Sequence, residues 1–304
     1  MKNLAVSIII PNWNGEKLLN KNLPKVLAAA KEATEIIVVD DASTDGSVEL
    51  VKNKFPAVKI VTKPKNEGYS STVNLGVQVA AGDIVVLINT DVAPAKDFLK
   101  SLLKHFDDPL VFAVGCEDLS VENGLTVLRG RGEAAWKKGF FIHWRGEVDK
   151  TDTAWVSGGS GAFRRSIWEK LGGMDTLFNP FYWEDIDLSY RALKSGYKLV
   201  FDPRSKVLHF HEGGKILKSY DKNQIARIAY RNQFIFIWKN LSERRIILDH
   251  LFWLPIRIMQ ALIAGDFNLI SGFLRAAMAF SKIMNSRAGQ MKLWKKTDAE
   301  IFIS

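Results

Sequence analysis

The residues able to do chemistry stand where apolar runs stop. Ile84 to Ile88 is five apolar residues in a row, and the run ends in Asn89-Thr90-Asp91. Such a run reads as a strand buried on both faces, as in a parallel sheet. A carboxylate past the carboxyl end of a central parallel strand sits where open α/β sheets bind ligands. Asp91 is therefore read as a ligand for a divalent cation that carries a diphosphate. Asp40 and Asp41 close a second run, Ile36 to Val39. A carboxylate there can accept hydrogen bonds from a nucleobase imide or a ribose hydroxyl, and Asp45, in the turn that follows, suits a helix cap.

Three further groups qualify. Glu184 and Asp185 open a helical pattern beside Tyr182 and Trp183. A helix N-terminus favours their charge, whereas apolar neighbours and a second carboxylate raise a pKa, and that combination makes a general base. Asp187, four residues before Arg191, reads as a helix-surface ion pair. His209 and His211 alternate at a strand end and point to opposite faces; His209, with His211 second, is expected to share the cation of Asp91. Gly158-Gly159-Ser160-Gly161 lets a backbone approach a sugar or diphosphate, although it lacks the spacing of a P-loop or dinucleotide fingerprint.

The elements that must position these residues alternate strand and helix. Strands are expected at 4–10, 35–39, 58–61 and 84–88, with helices at 16–31, 69–81 and 97–106; Pro24 is expected to disturb the first helix. This alternation predicts a parallel sheet with helices on both faces and all carboxyl ends on one edge, where Pro11, Asp40 and Asp91 fall. Residues 117–153 show no long periodic element and read as a variable insert or acceptor loop. Short strands are expected at 155–157, 162–163, 198–201 and 206–208, and a helix from about 184 to 194.

Composition bounds the rest. A chain of 304 residues, 47% hydrophobic and 25% charged, has ample core. The single Cys116 excludes a disulfide framework and a cysteine-based zinc site, and reads as a small buried residue. Met1-Lys2-Asn3-Leu4 runs straight into a strand pattern, which predicts no signal peptide. The net charge of +9 resides in residues 215–304, with 15 Lys and Arg against 6 Asp and Glu, so a neutral domain (1–214) carries a basic helical region (215–304). In that region 219–240 reads as a helix with Tyr230, Phe234 and Trp238 on one packing stripe. Residues 246–264 and 273–284 read as amphipathic basic helices, with Asp249, His250, Arg257 and Gln260 in one polar sector. They fit peripheral contact with an anionic cytoplasmic leaflet, or a subunit interface, better than a spanning segment. Nucleic acid is disfavoured because the basic residues are interleaved with aliphatic ones.

Val6 to Gly15, Val38 to Ser47, Ile88 to Asp91 and Phe181 to Leu188 occur in an order and spacing that resembles family-2 glycosyltransferases of GT-A fold, near the bacterial rhamnosyltransferase-like members. Ala229-Tyr230-Arg231-Asn232-Gln233 extends the likeness to about residue 240. The resemblance implies a mostly parallel nucleotide-binding sheet flanked by helices. It also implies a UDP-, dTDP- or GDP-sugar donor, a Mg²⁺ or Mn²⁺ cofactor, and a glycan or lipid-linked glycan acceptor in cell-envelope polysaccharide synthesis. A homo-oligomer is compatible with it, and so is a place on the inner face of the plasma membrane. Pro11, Asn12, Asp40, Asp41, Asn66, Gly68, Asn89, Asp91 and Gly159 would hold the donor, with Asp40 on the base or ribose. Asp91 with His209 or His211 would hold the metal. Asp185, beside Glu184, would be the catalytic base of an inverting transfer. Asn89 departs from the family's DxD pattern, leaving one fewer charge for the metal. A nucleotidyltransferase acting on a sugar phosphate and a non-catalytic sugar-binding module are the alternatives.

Overall fold

The computed structural model describes residues 4–122, 125–210 and 219–302. Strands β1 (Val6–Asn12), β2 (Glu35–Asp40), β3 (Lys59–Thr62) and β4 (Ile84–Leu87) pair in parallel in the order β3-β2-β1-β4. Their side chains alternate between two cores. Ile8, Ile10, Val38 and Val86 face α1 (Glu16–Ala29) and α2 (Ser47–Lys54). Ile9, Val39, Val85 and Leu87 face α3 (Tyr69–Val79), α5 (Arg165–Leu171) and α6 (Glu184–Lys194). Both faces are apolar, so the strands read as unbroken hydrophobic runs. Pro24 lies inside α1 without ending it. Burial of Leu19, Leu23, Val26 and Ala29 against the sheet outweighs one missing backbone hydrogen bond.

Beyond β4 the sheet becomes mixed. β10 (Gly161–Arg164) lies antiparallel between β4 and β6 (Val111–Glu122). β11 (Lys198–Phe210) runs parallel to β6, and β5 (Val92–Pro94) closes the edge antiparallel to β11. The two short strands expected at 198–201 and 206–208 are this one strand, with a register irregularity between Asp202 and Lys206. Residues 155–157 are not a strand. Residues 117–153 are not the unstructured insert expected either: β6 runs on to Glu122, β7 (Leu125–Arg129) pairs with it, and β8 (Gly132–Lys137) pairs with β9 (Phe140–Arg145). A two-residue turn joins β8 to β9, with both Lys138 (φ 53°) and Gly139 (φ 71°) at positive φ, as tight hairpins require.

Four longer helices follow residue 221: α7 (Lys222–Asn240), α8 (Arg244–Ala264), α9 (Phe267–Met278) and α10 (Phe280–Met291); a short α11 (Asp298–Ile301) comes last. The helix expected over 273–284 is thus divided at Ala279 between α9 and α10. The sequence boundary at 214/215 lies outside the described residues. The helices after it share a third core with β8, β9 and α6, in which Phe234, Phe236 and Ile237 pack with Trp136, Phe141, Trp183 and Tyr190. α8 has the length and composition to cross a membrane, with mean hydropathy 1.5, and only 11% of its most apolar window is buried. Its disposition is taken up below.

Polar contacts fasten these helices to the sheet domain. Lys194 of α6 meets Asp298 at 2.9 Å with both side chains buried. Asp187 is not on a helix surface: it is fully buried, accepting from Arg191 (2.7 Å), Lys239 (2.9 Å) and Asn240 (2.8 Å). Lys239 also meets Asp175 at 2.7 Å, and Ser286 of α10 donates to that carboxylate. Burial raises the pKa of Asp175, but Lys239 and these hydrogen bonds outweigh it and bring it down to about 2. A depressed carboxylate stabilises the fold above its unfolded pKa, and that stability disappears as pH falls through the folded value. Asp175→Asn is therefore expected to cost about 2 kcal/mol at pH 7, and progressively less as pH falls from about 4 towards 2. Urea unfolding at neutral and acid pH measures the difference; an unchanged midpoint at pH 7 rejects the interaction as a source of stability.

Candidate active site

The carboxyl edge of the parallel strands frames a cleft of about 410 Å³. Pro11, Asn12, Asp41, Asn66, Gly68, Asn89, Asp91 and His209 line it, together with Trp13, Tyr69, Tyr182 and Tyr220. Asp40, Gly159, Glu184 and Asp185 stand behind this lining.

Asp40 ends β2. Its carboxylate is 2% exposed and takes Asn12 Nδ2 (2.7 Å), Ser43 N (2.9 Å) and Ser43 Oγ (2.6 Å). Those donors tie Asp40 to β1 and to the turn after β2. Asp41 lines the cleft. It accepts from Glu67 N (3.0 Å), Gly68 N (2.9 Å) and Lys63 Nζ (2.8 Å), ordering the Asn66-Glu67-Gly68 loop. Gly68 adopts φ 87°, and a Cβ there would meet the Pro180 backbone at 3.2 Å, so glycine suits both the conformation and the close approach. Asp45 does act at helix starts: it accepts from Glu16 N (3.0 Å) and Ser47 N (3.1 Å), the first residues of α1 and α2.

Gly159 supports Asn89 from behind. Asn89 N donates to Gly159 O at 2.9 Å, and a Cβ on Gly159 would come within 2.6 Å of the Asn89 amide. Asp91 follows at the strand end. The antiparallel pairing of β11 with β5 sets His209 opposite Val92 and so beside Asp91, with Nε2 3.4 Å from Asp91 Oδ1. His209 Nδ1 lies 2.9 Å from Asp118 Oδ2 on β6. Burial opposes charge on His209, but the hydrogen bonds to Asp118 and Asp91, with their negative charge, push it up to about 9. His211 lies outside the described residues. Cys116 is an inert core thiol: burial pushes its pKa up to about 12.

Glu184 and Asp185 begin α6. The turn before them is held in a conformation most side chains avoid, with Tyr182 at φ 72° and Trp183 at φ 74°. Asn232 of α7 secures it by donating to Phe178 O (2.8 Å), Phe181 O (3.0 Å) and Tyr182 O (2.8 Å). Burial raises the pKa of Glu184 well above the ordinary carboxylate value, with Asp185 and then Asp187 adding to it, and Oε2 of Glu184 is buried with no hydrogen-bond partner. Burial raises Asp185 as well, against hydrogen bonds from Gly158 N (3.2 Å) and Ile186 N (2.8 Å). Adjacent carboxyls this close titrate as a pair.

Tyr69, the first residue of α3, connects the two sides. Its hydroxyl is shared between Gly158 O (2.7 Å) and Asn89 Oδ1 (3.2 Å). Burial pushes the phenol well above its usual value, and Glu184, Asp185 and Asp91 add to that rise. The Gly158 peptide thus links the Tyr69 hydroxyl, from which its carbonyl accepts, to the Asp185 carboxylate, to which its N–H donates. Sequence reasoning missed Tyr69, whose only signal is a polar aromatic in the first turn after a glycine loop. It also missed Asp118, which is far from every motif in the chain.

A parallel half-sheet with a carboxyl-edge cleft, joined to a mixed half with flanking helices, defines a GT-A-type fold. The family model for glycosyl transferase family 2 matches residues 7–172, more than half of the chain. The chain belongs to that family. It is 26% identical over 218 residues to the O-antigen chain rhamnosyltransferase RfbN of Salmonella typhimurium, covering 68% of this chain and 67% of that one. It is 29% identical over 264 residues to the probable glycosyltransferase YdaM of Bacillus subtilis, covering 82% of this chain and only 61% of the relative. Among solved structures, GalNAc-T7 with UDP, GalNAc and Mn²⁺ matches 95% of this chain and 57% of its own, with a TM-score of 0.66 and 19% identity. The mannosyltransferase PcManGT of Pyrobaculum calidifontis with GDP-Man and Mn²⁺ matches 96% and 81%, with a TM-score of 0.56 and 19% identity.

The donors present suit a divalent cation that keeps other ligands. Among the described residues, no group of three or more His, Cys, Asp and Glu side chains is placed to hold a metal. Asp91 and His209 offer one carboxylate and one imidazole, and Asp118 on the far ring nitrogen sets the imidazole's direction. Two protein ligands leave room for phosphate oxygens and water, as Mg²⁺ or Mn²⁺ bound to a diphosphate requires.

Tyr69→Phe is expected to lower turnover about tenfold, the loss of roughly one net hydrogen bond to the group linking Asn89 and Gly158. Thermal melting separates this from misfolding, and turnover equal to wild type rules out the connecting role.

Proposed function

We propose that this chain is an inverting glycosyltransferase that moves a sugar from a nucleotide-diphosphate donor to a hydroxyl of a glycan or lipid-linked glycan. The observation that carries this reading is the placement of Asp91 and Tyr69 in one cleft, with the Tyr69 hydroxyl joined to Asn89 and, through the Gly158 peptide, to Asp185. The donor, a UDP-, dTDP- or GDP-sugar, would lie along the carboxyl edge, its nucleotide between Trp13, Asp41 and the Asn66–Gly68 loop. Asp91 and His209 would hold Mg²⁺ or Mn²⁺, which when bound supplies positive charge for the departing diphosphate.

The acceptor would enter past Phe181 and Tyr182. Asp185 takes the proton from its hydroxyl, and that oxygen forms a bond to the anomeric carbon while the bond to the diphosphate breaks. A single displacement from the opposite face inverts the centre and needs no covalent nucleophile on the enzyme. Burial that raises Asp185 makes it a stronger base than an exposed aspartate, and Glu184 holds the pair's other proton site. Trp13, Tyr69, Tyr182 and Tyr220 supply the apolar walls that sugars and bases favour. Family membership favours sugar transfer over nucleotidyl transfer, and a paired base with raised pKa argues against a non-catalytic module. The work of such an enzyme would be cell-envelope polysaccharide synthesis at the inner face of the plasma membrane.

Asp185→Asn is expected to keep donor affinity and lose turnover by about a hundredfold or more. Calorimetry of donor binding and release of nucleoside diphosphate measure the two, and undiminished release removes Asp185 as the base. In the wild type, the acid limb of the rate profile should lie above pH 3.8, because Asp185 is raised from that value and must be ionised to act. Asp118→Asn is expected to weaken Mn²⁺ binding about tenfold to a hundredfold. Electron paramagnetic resonance of free Mn²⁺ reads this without turnover, and unchanged affinity would separate Asp118 from the metal.

A further inference from the structure

Helix α8 packs inward through Ile247, His250, Leu254, Ile258 and Ala261, whereas Asp249, Arg257 and Gln260 are exposed. His250 is 4% exposed; it takes Trp238 Nε1 on Nε2 (3.1 Å), and its Nδ1 lies 2.8 Å from Gly139 O at the tip of the β8–β9 turn. That turn fits closely: a Cβ on Gly139 would fall 2.1 Å from His250 N. Asp298 fixes the start of the helix by accepting from Ser242 N (2.6 Å) and Glu243 N (2.7 Å). The opposite side faces outward and is apolar. Leu248, Leu251, Phe252, Met259, Leu262 and Ile263 are each 50 to 81% exposed. At helical pitch they occupy one sector of about 120°, and they extend along about 22 Å of the axis. A soluble surface seldom leaves such a stripe to water.

Charge indicates what covers it. Arg244 and Arg245 are exposed and fall in the same sector at the amino end of the stripe. Asp249, the one acidic residue within α8, lies outside that sector. The neighbouring exposed Arg275 and Lys282 add to the basic character, and residues 215–304 carry 15 Lys and Arg against 6 Asp and Glu. Paired arginines leading into an apolar stripe match anionic headgroups above acyl chains. A second copy of the same face would oppose them with an equally basic surface.

We infer that the outward face of α8 docks the enzyme on an anionic lipid bilayer, with Leu251, Phe252, Met259 and Ile263 in the headgroup–acyl boundary and Arg244 and Arg245 among the phosphates. The helix lies along the surface, because its inward side is engaged by Trp238 and Gly139. The inference rests on the proposed lipid-linked acceptor only for what the docking serves; the surface itself is argued from the residues of α8.

The full-length chain is mixed with phosphatidylcholine vesicles with and without phosphatidylglycerol, and bound protein is measured by co-sedimentation. Wild type should favour the anionic vesicles. The double variant Leu251→Ser, Phe252→Ser should bind them at least about tenfold less, the loss of buried apolar area. Arg244→Gln with Arg245→Gln should lose the preference for phosphatidylglycerol. All four side chains are exposed, so thermal melting should match wild type. Cys116 is buried, so a nitroxide can be placed selectively at Phe252→Cys and, as a control, at Asp249→Cys. On vesicles the first should gain protection from a water-soluble relaxant and the second should not. Equal binding by the serine variant, equal relaxant access at the two labels, or a solution dimer that the serine variant dissociates would each overturn the inference. Vesicle binding needs neither donor nor acceptor, so a protein that docks without transferring sugar defeats the proposed function alone.

Discussion

The buried carboxylate of Asp187 is the interaction on which the rest depends. It takes Arg191 from its own helix and Lys239 and Asn240 from α7, with no exposure to water. An unpartnered charge at that depth would be costly, and a fully partnered one is strict about geometry. Arg191 extends the arrangement to Leu171 O and Gly173 O, and Lys239 extends it to Asp175. The consequence is positional. The first turn of α6, which carries Glu184 and Asp185, is fixed relative to α7, and α7 carries the Asn232 amide that secures the strained turn at Tyr182 and Trp183. The C-terminal helices therefore help to build the active site as well as follow it in the chain.

The same economy governs the ionisable groups of the cleft. Two regions only a few residues apart in space shift in ways that suit different tasks. His209 lies between two carboxylates, Asp91 and Asp118, whose hydrogen bonds and charge raise its pKa against burial. Glu184 and Asp185 are adjacent, and burial raises both. Opposite environments therefore act on the two groups. Tyr69 adds a neutral donor between them. Because burial raises its phenol and the carboxylates add to the rise, it stays protonated and can go on donating to Asn89 or Gly158.

What could be read from the chain divides along a physical line. Ile84 to Ile88 and Ile36 to Val39 announce a two-sided buried sheet, because every residue in them must be apolar. The carboxylates that stop those runs were legible for the same reason. The division of labour between Asp40 and Asp41 was not, since adjacent residues differ only in which way the strand's last peptide turns them. Gly132 to Lys137 has little β propensity, and β8 exists through its pairing with β9 and the core shared with α7, which are non-local. Asp118 and Tyr69 carry no motif; each becomes functional through a partner about 90 or 20 residues away. The ion pair of Asp187 and Arg191 was correctly spaced but misplaced, because periodicity specifies a neighbour on the helix and says nothing of what covers both.

α8 shows that last limit most clearly. A polar sector containing Asp249, His250, Arg257 and Gln260 opposite an aliphatic one is compatible with either face being inward. The usual presumption is that the apolar side packs on the protein. Here the deciding contact is made by one residue of the polar sector: His250 has Trp238 on one ring nitrogen and the Gly139 carbonyl by the other. That buried imidazole packs beside Ile247, Leu254, Ile258 and Ala261, and a second aliphatic sector is left outward. The hairpin tip that receives it needs positive φ at Lys138 and Gly139, so a turn in the middle of the chain decides which face of a helix more than a hundred residues later meets the surroundings. The helix is apolar on two sides, and the one hydrogen-bonded residue among them marks the side that packs on the protein.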